Sequence, residues 1–99
     1  MAAYVISEVE ILNKDAANHY RHLAASSIAK YEGQYLVRGA EAFVAEGEPM
    51  NRRVVIVEFP STEKIHEWYA SPEYAEALKF RDIALTRRLL FIEGVNSKI

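Results

Sequence analysis

The chain has 99 residues, the size of one domain spanning residues 1–99, and its 26% charged and 51% hydrophobic residues exclude a disordered or fibrous protein. The net charge of −2 and the pI of about 5.9 argue against a nucleic-acid-binding protein, because such domains usually carry a clustered basic surplus. The absence of cysteine excludes disulfides, thiolate nucleophiles and cysteine-ligated metals.

No export or membrane segment is predicted. The N-terminus lacks the basic region and the apolar stretch of roughly 7–15 residues that a signal peptide needs. The longest apolar runs are Val54–Val57 and Leu89–Ile92, far shorter than the ~20 residues that span a bilayer. We therefore expect a cytoplasmic protein with no membrane partner.

The chain opens with a predicted strand and a predicted helix. Tyr4–Ile11 distributes its side chains with a period of two, which is typical of a strand. Asn13 or Asp15 can cap the following helix by accepting hydrogen bonds from its free N–H groups. Apolar residues at helical spacing predict that this helix runs from about Asp15 to Glu32, and Gly33 ends it.

Two strands joined by a turn are predicted next. Gln34–Arg38 is extended, a bulge or bend is expected at Gly39-Ala40, and the strand resumes over Phe43–Glu46. Residues 47–51 (GEPMN) have the composition of a turn. Arg53–Phe59 then carries the strongest strand signal in the chain.

The last third of the chain predicts two helices and a strand. Thr62–Tyr69 is expected to form a short helix. Ser71-Pro72-Glu73 begins the next helix, because serine caps it, proline suits its first position and glutamate is stabilised by its positive end. That helix is expected to reach about Thr86, and Arg88–Glu93 is the final strand.

The predicted order β-α-β-β-α-β is that of a ferredoxin-like α+β fold with a four-stranded antiparallel sheet. Right-handed crossovers place both helices on one face, so strands open to water on the other face should alternate apolar with polar residues. Val54–Val57 and Leu89–Ile92 are instead apolar on both faces, and Tyr4 and Ile6 join them. Because such a patch is normally covered, we expect a homodimer whose two sheets pack together.

Several local motifs follow one another along the chain. They are Gly33–Gly39 (GQYLVRG), Arg53–Ser61 (RVVIVEFPS), Trp68–Tyr74 (WYASPEY), Arg81 and Glu93-Gly94. In this order and at these spacings they resemble the bacterial domain of unknown function 1330 family, over about Ala3 to Gly94.

The resemblance implies a dimeric α+β barrel, related in architecture to cofactor-free monooxygenases, dehydratases and muconolactone isomerases. It implies no reaction, because the family has no settled one. The chain departs from the pattern at Ala40, where a second glycine is common, and at Glu48-Pro49-Met50, which replaces an Asp-Trp type turn. Both departures affect the shape of a loop rather than the fold.

Arg81 is the first candidate site residue. Helical geometry places it in one stripe with Tyr74, Leu78 and Leu85, and this stripe is predicted to face the sheet. A buried guanidinium needs a partner, so one interpretation is an ion pair with Glu58, or a packed stem whose head reaches water. The other is an anion clamp for a carboxylate or enolate. Glu58 itself is either the partner of Arg81, which we favour, or a general base.

Arg38 is the second arginine of interest. It ends its strand beside Gly39, where a bend can direct a side chain into a cleft. It is therefore either a ligand-binding residue or an exposed arginine at a sheet edge. The run of residues 36–39 (LVRG) matches the family pattern, and this resemblance adds a little support to the ligand role.

Three aromatic residues surround the break between the two later helices. Trp68, Tyr69 and Tyr74 are either core or dimer-contact residues, or the wall of a pocket with hydroxyls directed at a substrate. Ser71 is expected to cap its helix, and the free N–H groups beyond it can hold an oxyanion or a carboxylate.

The three histidines are weaker candidates. His66 on the short helix is either a general base or a surface residue. His19 and His22 have a spacing that metal ligands use, but they project from a polar face and no third ligand is evident. We expect no metal.

These patterns favour a small dimeric protein with one pocket per subunit for a small anionic metabolite with an apolar body. A reaction there would be cofactor-free proton transfer or oxygenation, with arginine stabilising the developing negative charge. The candidate catalytic residues are Arg81, His66 and Glu58. The candidate ligand-binding residues are Arg38, Trp68, Tyr69, Ser71, Tyr74 and Arg81. The alternative is a non-enzymatic binding or accessory module whose polar residues are structural.

Overall fold

Four strands and three helices follow one another as β-α-β-β-α-α-β in the computed structural model, which describes residues 1–95. They are β1 (Ala3–Ile11), α1 (Lys14–Lys30), β2 (Gln34–Glu41), β3 (Arg53–Phe59), α2 (Thr62–Tyr69), α3 (Pro72–Ala84) and β4 (Leu85–Glu93). The strands form one antiparallel sheet in the order β2-β3-β1-β4. The ferredoxin-like α+β plan predicted from the sequence is confirmed.

Helix α1 is closed at both ends by local hydrogen bonds. At its start, the Asn13 side chain accepts a hydrogen bond from the Ala16 N–H at 2.9 Å. At its end, Glu32 has a positive φ of 67°, and the Gly33 N–H donates to the Ile28 carbonyl at 2.8 Å. Glu32 therefore takes the left-handed position of the cap, and Gly33 does not.

Strand β2 is irregular, and its irregularity decides where its side chains point. Its register against β3 shifts twice, once between Tyr35 and Val37 and again between Arg38 and Ala40. The bulge expected at Gly39-Ala40 is therefore present, and Tyr35 and Arg38 lie on the same face of the sheet although they are three positions apart.

The prediction of a strand over Phe43–Glu46 is wrong. Strand β2 ends at Glu41, which already pairs with Arg53, the first residue of β3, so the residues beyond it have no strand to pair with. Residues 42–52 form an irregular connection, and the Phe43 side chain is 94% exposed there.

The boundary between α3 and β4 also differs from the prediction. The Ala84 carbonyl accepts hydrogen bonds from the N–H groups of Leu12 and Asn13 at 2.8 and 3.1 Å, so the last turn is tied to the end of β1 rather than extended. Leu85 has extended backbone and pairs with Ile11. Strand β4 therefore begins three residues earlier than expected, and Arg87 belongs to the sheet rather than to a turn.

The face of the sheet under the helices, here called the helix side, carries the core. Its buried residues include Val5 and Ser7 of β1 and Val57 and Phe59 of β3, against which Ile65 and Trp68 of α2 and Tyr74 of α3 are buried. Trp68 is held in place because its Nε1 donates to the Ser27 hydroxyl at 3.0 Å. Among residues 1–95, no helix is long and apolar enough to cross a membrane. The cytoplasmic location stays a prediction.

The other face, here called the open face, is apolar in its middle. The strand register places Val37, Ile56, Ile6 and Leu90 in one row across all four strands. The rows on either side each carry charge, at Glu58 in one and at Glu8 and Arg88 in the other. No described helix covers this row.

We predict that Gly33→Ala destabilises the fold by about 1–3 kcal/mol through overpacking. A Cβ atom at residue 33 would lie 2.6 Å from Ile28 Cγ2 and 2.9 Å from the Phe59 ring. Glu32→Gly is the control, since it relieves a left-handed backbone and gives up only a largely exposed ion pair with Lys64, so it should cost much less. Urea unfolding measures both, and a Gly33→Ala variant as stable as wild type would contradict the close-packing explanation.

Candidate functional site

A cavity of about 470 Å³ lies between the helix side of the sheet and α1. Its body is apolar, because aliphatic side chains from β1, β3, β4 and α1 line it, with Trp68 of α2. These aliphatic residues are Val5, Val9, Ile11, Ala24, Ile28, Val55, Val57, Leu85 and Leu89. The volume is in the range of small-molecule sites. We call it the helix-side cavity.

Arginine supplies all the charge in the lining of this cavity within the described residues. Arg21, Arg38, Arg53 and Arg87 line it, whereas no Asp, Glu, His or Lys does. Three of the four come from the sheet, where Arg53 and Arg87 pair with Val9 from its two sides and Arg38 pairs with Val55. A protein with a net charge of −2 therefore contains a cavity whose formal charge is positive.

These arginines differ in how they are held. The Arg38 guanidinium is 4.4 Å from the centre of the Tyr35 ring, which is within cation–π distance. Arg53 donates to the Gly39 carbonyl at 3.2 Å and lies 3.5 Å from a Glu41 carboxylate oxygen. Both side chains are exposed, so they belong to the mouth of the cavity, whereas Arg87 is half-buried.

Arg87 begins a chain of hydrogen bonds that links the sheet to two helices. Its Nη1 donates to the Tyr20 hydroxyl at 2.7 Å, and the Tyr20 and Tyr74 hydroxyls are 2.6 Å apart. Tyr20 is on α1 and Tyr74 on α3, and both are buried. We call this set the Arg87 chain.

Burial sets the protonation of the Arg87 chain. It raises the pKa of Tyr20 well above its ordinary value, and the nearby Tyr74 raises it further. Burial opposes the charge on Arg87, but Tyr20 and Tyr74 more than compensate and raise the Arg87 pKa. At neutral pH Arg87 is therefore a cation beside a neutral Tyr20 hydroxyl, which is suited to receive an anion.

Two buried polar atoms of cavity-lining residues have no hydrogen-bond partner within residues 1–95. They are Nε of Arg87 and Oγ of Ser7. The described part of the chain also offers Arg87 no carboxylate within ion-pair distance. Unpartnered buried donors are costly, so a group that satisfies them would be bound favourably.

Of the predicted ligand-binding residues, the structure brings two to this cavity. Arg38 and Trp68 line it, and Tyr74 reaches it indirectly through the Arg87 chain. Ser71 is the N-cap of α3, since its Oγ accepts from the Tyr74 N–H at 3.0 Å and donates to the Trp68 carbonyl at 2.7 Å. Tyr69 lies at a tilt against Trp68 and edge-to-face against Phe91, and it is outside the lining.

Arg81 and Glu58 do not meet. Arg81 lies outside the cavity lining, with its side chain 41% exposed and Nη2 3.0 Å from Asp82. Glu58 is on the open face and is 3.4 Å from the Tyr4 hydroxyl. The predicted ion pair between them is wrong, because the sheet separates the two side chains. Arg81 follows the buried stripe only with its stem, whose Nε is buried, while its head reaches solvent.

The histidines also lie outside the cavity lining. His66 is exposed, and its ring lies 5.8 Å from that of Phe91 in an edge-to-face arrangement. His19 stacks on Phe80 at 4.5 Å, and His22 is exposed on the same helix. In the part of the chain that the structure describes, no three His, Cys, Asp or Glu residues are grouped to hold a metal ion.

The family described as "Domain of unknown function (DUF1330)" matches residues 2–95, nearly the whole chain. The chain belongs to this family. No protein with a curated description matches it.

Solved structures show how widely the fold of this DUF1330 protein is shared. A protein of unknown function from Rhodopseudomonas palustris is similar with a TM-score of 0.77 and 20% identity, over 96% of this chain and 83% of that one. A dimeric ferredoxin-like protein of unknown function from Jannaschia sp. CCS1 has a TM-score of 0.73 and 10% identity, over 95% and 100%. SnoaB, a cofactor-independent oxygenase from Streptomyces nogalater, has a TM-score of 0.59 and 12% identity, over 97% and 95%.

Sequence reasoning missed the residues that give this DUF1330 protein its charged cavity. The sequence pattern leaves Arg87 between a helix predicted to end near Thr86 and a strand predicted to begin at Arg88. Tyr20 and Ser7 fall inside the first predicted helix and the first predicted strand, with nothing local that marks them as site residues. The one available signal was the run of residues 87–88 (RR) between apolar residues, because one of two adjacent strand residues must face inward.

We predict that Tyr20→Phe lowers the free energy of unfolding at pH 7 by about 1–3 kcal/mol, because Arg87 and Tyr74 lose a buried partner. The pKa of Tyr20 is higher in the folded protein than in the unfolded chain. Its protonated hydroxyl therefore contributes stability below the ordinary tyrosine pKa of 10.0, and this contribution is lost as the pH rises above that value. The difference between wild type and Tyr20→Phe should therefore shrink above pH 10. Denaturation at several pH values measures it, with Tyr69→Phe as control; a gap that stays constant would contradict this assignment.

Proposed function

We propose that this protein binds a small anionic metabolite with an apolar body in the helix-side cavity. The anionic group lies against Arg87 and Tyr20, and Arg38 assists at the mouth. The apolar body lies among the aliphatic residues and against Trp68. The observation that carries the proposal is the half-buried guanidinium of Arg87 with an unpartnered Nε and no carboxylate partner in the described chain.

Arginine suits this role because its planar fork matches a carboxylate or an enolate. An exposed arginine contributes little on its own, but a charge-assisted hydrogen bond in a water-poor cavity contributes about 1.5–3 kcal/mol. Tyr20 adds a neutral hydroxyl at the same place, 2.7 Å from Nη1 of Arg87. The two groups together therefore recognise an oxyanion.

Cofactor-free proton transfer or oxygenation is the second candidate function. It is favoured by the similarity in fold to SnoaB, which is described as a cofactor-independent oxygenase. Arg87 and Tyr20 are suited to stabilise negative charge that develops on a substrate oxygen. The described lining contains no carboxylate or imidazole that would take a proton, so these residues support binding more directly than catalysis.

We predict that small apolar carboxylates raise the Tm of the wild-type protein, and that Arg87→Met weakens their binding about tenfold or more. Without ligand, Arg87→Met should keep or raise the Tm, because it removes a buried charge that has no carboxylate partner. Arg38→Ala should weaken binding several-fold, since Arg38 is exposed at the mouth. Thermal shift and calorimetry in chloride buffer measure these effects.

Arg81→Ala is the matched control, because it removes an arginine whose side chain lies outside the cavity lining. It should bind carboxylates as wild type does. Binding that survives Arg87→Met but is lost in Arg81→Ala would instead place the anion at the arginine expected from the sequence. If no carboxylate stabilises the wild type, the accessory module with structural polar residues is the better explanation. Oxygen uptake and solvent deuterium exchange with bound acids test the second candidate.

The protein's assembly is a homodimer that buries the open face of the sheet. Support comes from the aliphatic row of Val37, Ile56, Ile6 and Leu90, which crosses all four strands without a covering helix. The similar protein from Jannaschia sp. CCS1 is described as dimeric, which supports the same assembly.

We predict that wild-type protein at micromolar concentration has twice the mass of one chain in light scattering, and that Ile56→Glu converts it to monomer. The charge would lie in the centre of the aliphatic row, where desolvation makes it costly. Ile83→Glu is the control, because Ile83 is 64% exposed on α3. A monomeric wild type would contradict the dimer outright, and circular dichroism checks that both variants are folded.

A further inference from the structure

We infer that Ser7 is a specificity residue of the helix-side cavity, and that the ligand carries a second oxygen besides its anionic group. This inference rests on the proposed function, since it assumes that Arg87 and Tyr20 hold the anion. The ligand class it names is a small hydroxy- or oxo-carboxylate with an apolar body.

Ser7 is in the middle of the sheet, where its backbone is paired with a strand on each side. It lies in β1 between β3 and β4, paired with Val55 on one side and with Leu89 on the other. The side chain is on the helix side, the residue is 6% exposed, and it lines the cavity. Its Oγ is buried and has no hydrogen-bond partner within residues 1–95.

A buried hydroxyl without a partner is unfavourable at such a position. An alanine or valine there would fit the surrounding aliphatic residues without leaving a polar atom unsatisfied. The other two buried serines each have a structural task, because Ser27 bonds Trp68 and the Ala24 carbonyl, and Ser71 caps α3. Ser7 has no such task in the described chain, so its hydroxyl is available to a ligand.

The geometry relates Ser7 to the anion site. Arg87 is paired with Val9 and Leu89 with Ser7, so Ser7 and Arg87 are diagonal neighbours on adjacent strands. Diagonal neighbours on one face of a sheet are about 7–8 Å apart. One small molecule in the cavity can therefore contact both residues. A hydroxyl donates and accepts, so either a ligand hydroxyl or a ligand carbonyl would satisfy Ser7.

The inference is tested with acids that differ by one oxygen. We propose calorimetry with 3-phenylpropanoate, its 2-hydroxy, 3-hydroxy and 2-oxo derivatives, and wild type, Ser7→Ala and Ser26→Ala. At least one oxygenated acid should bind wild type about three- to tenfold more tightly than 3-phenylpropanoate. Ser7→Ala should lose this preference while binding 3-phenylpropanoate unchanged. Ser26→Ala, an exposed serine on α1, should keep it.

The stability of the unliganded variants separates a ligand role from a structural one. Ser7→Ala should keep or raise the Tm, because its hydroxyl has no bond to lose, whereas Ser27→Ala should lower it. A Ser7→Ala variant that loses Tm as Ser27→Ala does, or that binds all four acids as wild type does, would overturn the inference alone. If wild type binds none of the four acids, the proposed function fails with it.

Discussion

The Arg87 chain joins the two layers of this protein. A guanidinium on the inner face of a sheet would be costly if it were isolated, and here a tyrosine from α1 receives one of its hydrogen bonds. That tyrosine in turn meets Tyr74 of α3, so one set of polar contacts links β4 to both long helices. The Arg87 chain contains no carboxylate that would neutralise the charge of Arg87. The arrangement therefore holds a cation in place while leaving the charge available, which is what an anion site requires.

The two faces of the sheet present different side chains, although both are rich in aliphatic residues. On the helix side, the register interrupts the apolar surface with Arg87 and Ser7 and leaves a cavity beneath α1. On the open face the same strands present an uninterrupted aliphatic row with charge only in the rows beside it. A ligand suits the first face and a flat apolar partner suits the second. In the proposed function, the same sheet serves recognition on one side and assembly on the other.

The comparison with solved structures illustrates why the fold alone does not decide the activity. SnoaB is described as an oxygenase, while the neighbours from Rhodopseudomonas palustris and Jannaschia sp. CCS1 have no described function, and all share this architecture. Function on a common fold depends on the side chains that line its sites. For this chain those side chains are arginines, tyrosines and a serine, which bind oxyanions and hydroxyls more readily than they abstract protons.

The sequence by itself determined the order of the elements, the α+β class, the cap at Ser71 and the bulge beside Gly39. These features depend on local periodicity and on residue types with strong conformational preferences, so a single chain carries them. The family also followed from local motifs in their order.

Only the tertiary structure decided which charged residues enter the cavity. Helical spacing correctly put the stem of Arg81 on the buried stripe, but the length of an arginine side chain lets its head leave that stripe for solvent. Arg87 entered the cavity because the Ala84 carbonyl is bonded by Leu12 and Asn13, which ends α3 early and begins β4 at Leu85. A contact between residues more than seventy positions apart thus sets the phase of the strand, and no local pattern records it.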